Sequence, residues 1–399
     1  MNKEGCETSL YYDMYKEDKI GSKIISTIKC DNFDKSEILE FMKKKIVQSM
    51  QKHPHLQCRF VNYSWERIKD IDMDQMIQIL DKTYDQIIEK ELNHSLSDTL
   101  PGWRVFLAKN NCIMFVCEHV YGDAAFISNM IQDLFDDKSC NNIPQSQDKK
   151  KMSWLSKIIL FFKILFLIYK RFNSIKSTVT VNDDECKQIC LGQLSLCELK
   201  QIRSRFSCSD GTHISINDML HTILVYTNAL YFEKDMVSSA AMFNMRNSED
   251  DYTSKNKLGF ILLTNKVKTG TSPEDVLQDV HDFMQFYKET PITYILSKCM
   301  GLLYDWYPTK AYNLLQDMNQ SVDFIISNFV LQYKDKSLHD GIKINDISAC
   351  SGPGVAGQAY TILTYGDTLT VNLTYKCRKV NDINKLAKCF NETLEWLKS

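Results

Sequence analysis

Trp103-Arg104-Val105-Phe106-Leu107-Ala108, then Lys109-Asn110-Asn111, then Cys112-Ile113-Met114-Phe115-Val116-Cys117-Glu118, run on into His119-Val120-Tyr121-Gly122-Asp123-Ala124. The two β-rich runs joined by a short polar turn predict a hairpin. Apolar positions Phe126, Met130, Ile131 and Leu134 then recur at helical spacing, so a helix is expected from Ala125. His119 therefore falls where the chain leaves a sheet for a tight turn through Gly122, a place from which a side chain projects into a cleft. The His-x-x-x-Asp spacing lets the chain fold back, so that Asp123 holds local geometry while the imidazole exposes a lone pair for proton transfer. As a bare pattern it is weak, and a satisfied structural histidine is the more common reading.

Strand and helix signals alternate outward from this point, which predicts a mixed α/β fold. Upstream lie an apolar run at Ile20 to Ile28 and a helix over Lys35 to Gln51, with Ile38, Leu39, Phe41, Met42, Ile46 and Val47 at helical spacing. Downstream, Cys190 to Leu196 reads as a strand. Ser215 with Asp218 forms a capping box that opens a helix, and Ser272-Pro273-Glu274-Asp275 opens another. Strands are expected at Asp323 to Leu331, Ala359 to Thr364 and Thr368 to Tyr375, the last two around Tyr365-Gly366-Asp367, before a closing helix from Val380.

The 399 residues suit two domains, and a net charge near -2 with 25% charged residues gives no nucleic-acid footprint. Fourteen cysteines are scattered, without a CxxC pair or zinc-ligand spacing, and no apolar leader is visible at the N-terminus, so reduced thiols are expected and no metal site is. His213, His221 and His281 lie on or near helices without spaced ligands. From Lys149 to Lys176 there are eight basic residues and no acidic one, around Ile158 to Tyr169, which is apolar except for Lys163. As a helix those residues would reach about 18 Å against about 30 Å of hydrocarbon, so spanning is not expected. Two readings stand: a cationic amphipathic helix giving peripheral membrane contact through 154–172, or a buried interdomain helix with snorkelling lysines.

An ordered series of blocks resembles the wax ester synthase/diacylglycerol acyltransferase family, within the chloramphenicol acetyltransferase-like superfamily. Glu118-His119-Val120-Tyr121-Gly122-Asp123-Ala124 resembles its HHxxxDG motif, with Glu118 in place of the first histidine and Ala124 in place of the glycine. Leu100-Pro101-Gly102-Trp103-Arg104-Val105 is similar to a "P-L-W-R" strand, and His53-Pro54-His55-Leu56-Gln57-Cys58-Arg59-Phe60 to an "HP-x-L-x-x-R" entry. Asn217-Asp218-Met219-Leu220 is similar to "NDVVLA", and Phe243-Asn244-Met245-Arg246 followed by Leu258-Gly259-Phe260 to "P-V-x-x-R … G-N-x-x-G-F". Ser327-Asn328 resembles the start of "SNVPGP", followed here by Phe-Val-Leu, and Ala359 to Tyr375 the family's C-terminal hairpin.

The resemblance implies two similar α/β subdomains, 1–148 and 186–399, joined by 149–185, with the active site in a tunnel between them. It implies acyl transfer from acyl-CoA, as co-substrate without a cofactor, to a hydroxylated acceptor, giving a wax ester or triacylglycerol. His119 would be the general base, Asp123 would hold the motif through a salt bridge to Arg246, and Asn328, Ser327 or Asn217 would serve substrate or oxyanion. The expected location is peripheral, on the cytoplasmic side of the endoplasmic reticulum or another intracellular membrane. Glu118, Ala124 and the Phe-Val-Leu that follows Ser327-Asn328 motivate the alternative of a non-catalytic structural subunit or lipid-binding module.

Overall fold

A computed structural model describes residues 23–61, 64–96, 99–135, 185–206, 213–246, 256, 258–268, 270–290, 292–331 and 335–398. The basic and apolar stretch at 154–172, and the first residues of the expected strand at Ile20, lie outside them.

The first lobe opens with β1 (Lys23–Cys30) and α1 (Lys35–Lys52). Asp34 caps α1 by accepting from the amides of Ser36 at 2.8 Å and Glu37 at 3.1 Å, satisfying donors that the helix itself cannot. After the short strands β2 (Cys58–Val61) and β3 (Ser64–Arg67) come α2 (Met73–Met76), β4 (Ile77–Ile79) and α3 (Tyr84–Asn93). The hairpin read from the sequence follows as β5 (Trp103–Ala108) and β6 (Cys112–Glu118), with Asn111 in the left-handed region at φ 52°, and then α4 (Ala124–Gln132). All of β5 and β6 is buried because the sheet is covered on both faces. Ile113, Phe115 and Cys117 point into the core shared with α1 and α4, whereas Cys112, Met114 and Val116 meet Ile87, Ile88 and Leu92 of α3. Truncating Phe115 to alanine would cost about 3–5 kcal/mol by the cavity it leaves.

The second lobe comprises β7 (Cys186–Ser195), α5 (Leu196–Arg203), α6 (Ile216–Phe232), β8 (Met236–Asn244), β9 (Leu258–Lys266) and α7 (Pro273–Glu289). It continues through α8 (Ile292–Trp306), α9 (Pro308–Gln320), β10 (Phe324–Leu331), β11 (Ser337–Leu338) and β12 (Ile342–Ser351) to β13 (Gln358–Tyr365), β14 (Thr368–Lys376) and α10 (Ile383–Lys398). The capping boxes at Ser215 with Asp218 and Ser272 with Asp275 both form. Gly366, at φ 61°, makes the turn between β13 and β14. The closing helix starts at Ile383 rather than Val380, with the Asp382 carboxylate accepting from the Lys385 amide at 2.9 Å.

The sheet order is β11-β12-β1-β6-β5-β4 in the first lobe and β7-β14-β13-β10-β8-β9 in the second. The lobes are therefore not contiguous in sequence: β12 lies within the expected 186–399 region yet pairs antiparallel with β1, Ile24 opposite Ser351. The chain then crosses directly into β13. Where they abut, Asn372 Nδ2 donates to the Ala349 carbonyl at 2.9 Å, and the hydroxyls of Ser351 and Thr361 lie 3.2 Å apart.

Candidate active site between the lobes

His119 begins a short 3₁₀ turn, His119–Tyr121, at the end of β6, and Asp123 ends it as the N-cap of α4. Asp123 uses both carboxylate oxygens. Oδ1 accepts from the amides of Ala125 and Phe126, each at 3.1 Å, and Oδ2 accepts from Arg246 Nη1 at 2.7 Å. The side chains of Arg246 and Asp123 are 1% and 0% exposed, so the pair is fully withdrawn from water. A buried pair of this kind is costly to break from one side, because the remaining charge has no solvent to stabilise it. Arg246 follows β8 in the second lobe, so the ion pair predicted from the resemblance forms between the lobes.

Several contacts fix the motif turn from the first lobe. The Tyr121 hydroxyl donates to the Cys58 carbonyl and accepts from the Gly102 amide, both at 2.7 Å. His55 Nε2 donates to the Tyr121 carbonyl at 3.1 Å, and burial lowers its pKa from 6.5 to about 4, so the ring is neutral near neutral pH. The His53 and His55 rings both lie 5.2 Å from Phe126. The block around His53 to Phe60 thus buttresses the motif, a role its sequence did not reveal.

The two departures from the family motif have local explanations. Glu118 stands directly across the sheet from Lys23 and is 7% exposed. Burial lowers the pKa values of Lys23 and Arg104, while the charges of Glu91 and Glu118 oppose the shift. Glu118 accordingly offsets buried cations where a histidine would not. Gly102 makes room for it: a Cβ there would lie 2.3 Å from Glu118 Oε2. Ala124 is the first residue of α4, a position any helix former occupies. The tight approach falls instead on Gly122, where a Cβ would sit 2.3 Å from the Phe126 ring.

The structure also brings in Asn256, which sequence reasoning missed. Its Oδ1 lies 3.0 Å from His119 Nδ1, and its Nδ2 donates to the His119 carbonyl at 2.8 Å. Asn256 is 1% exposed and stands two residues before Leu258-Gly259-Phe260, where the asparagine of the quoted "G-N-x-x-G-F" pattern falls, a signal the reading of that block passed over. Burial lowers the His119 pKa below 6.5, against the opposing pull of Asp123 and of its hydrogen bonds, so the base form prevails at neutral pH.

The other expected site residues lie in the second lobe. Asn328 Nδ2 donates to Asn217 Oδ1, joining β10 to the start of α6, and Asn328 Oδ1 is a buried atom with no hydrogen-bond partner among the described residues. Ser327 sits beside Asn328 on β10, in register with Thr361. Asp218, the capping-box acid, bonds His281 Nδ1 at 2.8 Å within the second core. His221, also in that core, is within 2.7 Å of the Ser239 hydroxyl. Among the described residues one group has metal-ligating types within reach, Glu37, His339 and Asp340, with ligand atoms within 4.8 Å of one another. Both carboxylates are exposed, and the His339 to Glu37 contact of 3.2 Å is a surface ion pair.

Residues 255–398 match the sequence model of the WS/DGAT C-terminal domain. Similarity in structure extends further. A wax ester synthase/diacylglycerol acyltransferase from Marinobacter aquaeolei VT8 superposes with a TM-score of 0.62 over 97% of each chain at 10% identity. A trichothecene 15-O-acetyltransferase from Fusarium sporotrichioides gives 0.68 at 11% identity, over 98% of this chain and 94% of that one. The starter condensation domain of rhizomide synthetase, in complex with C8-CoA, gives 0.60 at 10% identity, over 98% and 93%. No curated protein matches the chain in sequence. At these identities the superpositions establish the fold, and the domain match concerns residues 255–398. Residues 255–398 thus match the WS/DGAT C-terminal domain, and the chain shares its fold along its length with these three structures.

Proposed function

We propose that the protein transfers an acyl group from acyl-CoA to the hydroxyl of a lipid acceptor, a long-chain alcohol or a diacylglycerol, with His119 as general base. The observation that carries this proposal is the placement of a neutral, pKa-depressed imidazole at the junction of the lobes, beside the cross-lobe pair of Asp123 and Arg246. In the reaction, Nε2 takes the proton of the acceptor hydroxyl as its oxygen attacks the thioester carbonyl. The tetrahedral oxyanion then collapses, the carbon–sulfur bond breaks, and the imidazolium returns its proton to the departing CoA thiolate. Asp123 and Arg246 hold the turn and exchange no proton. Asn328, with Ser327 beside it and Asn217 bound to it, supplies polar contact to the oxyanion or the acceptor.

Two features support a lipid acceptor reached from a membrane surface, on the cytoplasmic side of an intracellular membrane. One is the basic and apolar composition of 154–172. The other is the corner between α8 and α9, where Leu302, Trp306 and Tyr307 are 62%, 75% and 53% exposed and Lys310 stands over the Tyr307 ring at 5.1 Å. Among the described residues no helix is long and apolar enough to cross a membrane. The alternative of a non-catalytic subunit was motivated by Glu118, Ala124 and the residues after Ser327-Asn328, and local packing accounts for the first two.

Purified protein given acyl-CoA and a panel of long-chain alcohols, diacylglycerol, short alcohols and amines should release free CoA with the lipid hydroxyls. His119→Ala should lower that rate by about 10²- to 10⁴-fold. In the wild type the acidic limb of the rate profile should fall below pH 6.5, because the base is active above its depressed pKa. Undiminished CoA release by the alanine variant would exclude His119 as the base.

A further inference from the structure

Asn256 and Arg246 come from the same end of one hairpin. Arg246 follows β8 and Asn256 precedes β9, and these strands pair antiparallel with Asn244 opposite Leu258. From that end the second lobe reaches both termini of the motif pentad: Arg246 binds Asp123 and Asn256 binds His119.

The amide orientation of Asn256 follows from its two partners. The His119 carbonyl can only accept, so the atom 2.8 Å from it is the donating Nδ2. The carbonyl Oδ1 is then the atom facing His119 Nδ1 at 3.0 Å, and since Oδ1 also only accepts, Nδ1 must carry the ring proton. A neutral imidazole with its proton on Nδ1 has its lone pair on Nε2.

We infer that Asn256 is a positioning residue that reinforces the Nδ1–H tautomer of His119 from the opposite lobe, beside the bond the ring makes to its own backbone, so that the base is held in register when the β8–β9 hairpin is docked on the motif turn. The inference deepens the proposed acyl transfer and rests on His119 being its base. Asn256 touches neither substrate nor the reacting atoms. It acts by keeping the lone pair on the nitrogen that takes the acceptor proton, and by bonding the His119 backbone so that the ring and the turn move together. A neutral acceptor on Nδ1 also favours the imidazolium that forms during transfer, without the stronger pull of a carboxylate.

The test uses the full-length protein, CoA release, and ¹⁵N NMR of imidazole-labelled chain, with the His119 signals assigned by difference from His119→Ala. In the wild type, Nδ1 should show the protonated and Nε2 the unprotonated shift. Asn256→Ala should lower kcat by up to about 100-fold with little change in KM for acyl-CoA, as expected for a misplaced catalytic group, and move the acidic limb to lower pH. Asn256→Asp, whose carboxylate still accepts from Nδ1–H, should recover part of kcat and move the limb to higher pH. Opposite movements of the limb distinguish tautomer control from a loss of folding, which shifts neither. A wild-type Nε2–H tautomer, or limbs that move together or stay fixed, would overturn the assignment. Failure of the base itself is separable: His119→Ala would then retain activity, while the NMR spectrum still reports on the tautomer.

Discussion

Two buried acids stand at the start of a helix, one in each lobe, and their partners set them apart. Asp123 caps α4 and reaches across the lobe boundary to Arg246, while Asp218 sits in the capping box of α6 and bonds His281 inside its own core. Both carboxylates accept from backbone amides at a helix start, Asp123 from Ala125 and Phe126, Asp218 from the N-cap residue Ser215. Only the first is joined to a residue from the other lobe, and only beside it does a histidine meet the junction. A second histidine of that core, His221, is 1% exposed, bonded to Ser239, and depressed to about 4 by burial, as expected of a core residue. A titratable group with a perturbed pKa is thus not enough to mark a site; what matters here is whether its partners come from one core or two.

The comparison breaks most sharply at the cross-lobe pair. Arg246→Met should leave the Asp123 carboxylate buried without its cation, at a cost of about 3–5 kcal/mol in urea unfolding, together with loss of CoA release. Adding Asp123→Asn should recover a good part of the stability and none of the activity. An Arg246→Met variant of wild-type stability would show that the pair does not hold the lobes together.

A smaller effect is expected at the intra-lobe counterpart. Asp218→Asn weakens the bond to His281 and the cap of α6, and should cost about 1–3 kcal/mol by the same unfolding measurement. Turnover per folded molecule and the acidic limb should be unchanged. A shifted limb would place Asp218 in the machinery of the base after all.

The smallest effect tests the motif itself. Ala124→Gly restores the glycine of the family pattern at the first residue of α4, and should lower stability by no more than about 1 kcal/mol while leaving turnover where it was. A gain in turnover would mean that the turn, rather than Gly122 alone, is constrained by the methyl group.

Much of this was legible in the chain because it depends on near neighbours. The hairpin Trp103–Glu118, its Lys109-Asn110-Asn111 turn, both capping boxes and the helix over Lys35–Lys52 follow from side-chain periodicity, turn chemistry and caps, which act within a few residues. His119 and Asp123 stood out by a local pattern that is weak in itself, and the resemblance of the surrounding blocks is what pointed to them and to Arg246. The tertiary structure alone decided the rest. The insertion of β12 beside β1, the burial of Glu118 among Lys23, Glu91 and Arg104, and the grip of Asn256 on His119 join segments from tens to hundreds of residues apart. Such pairings depend on which surfaces the folded lobes present to each other, and no local propensity encodes that. The sequence by itself determined a histidine at a strand end in a mixed α/β fold; docking of the second lobe added Asn256 on its ring nitrogen, because a partner from the far side of the junction is a product of tertiary packing.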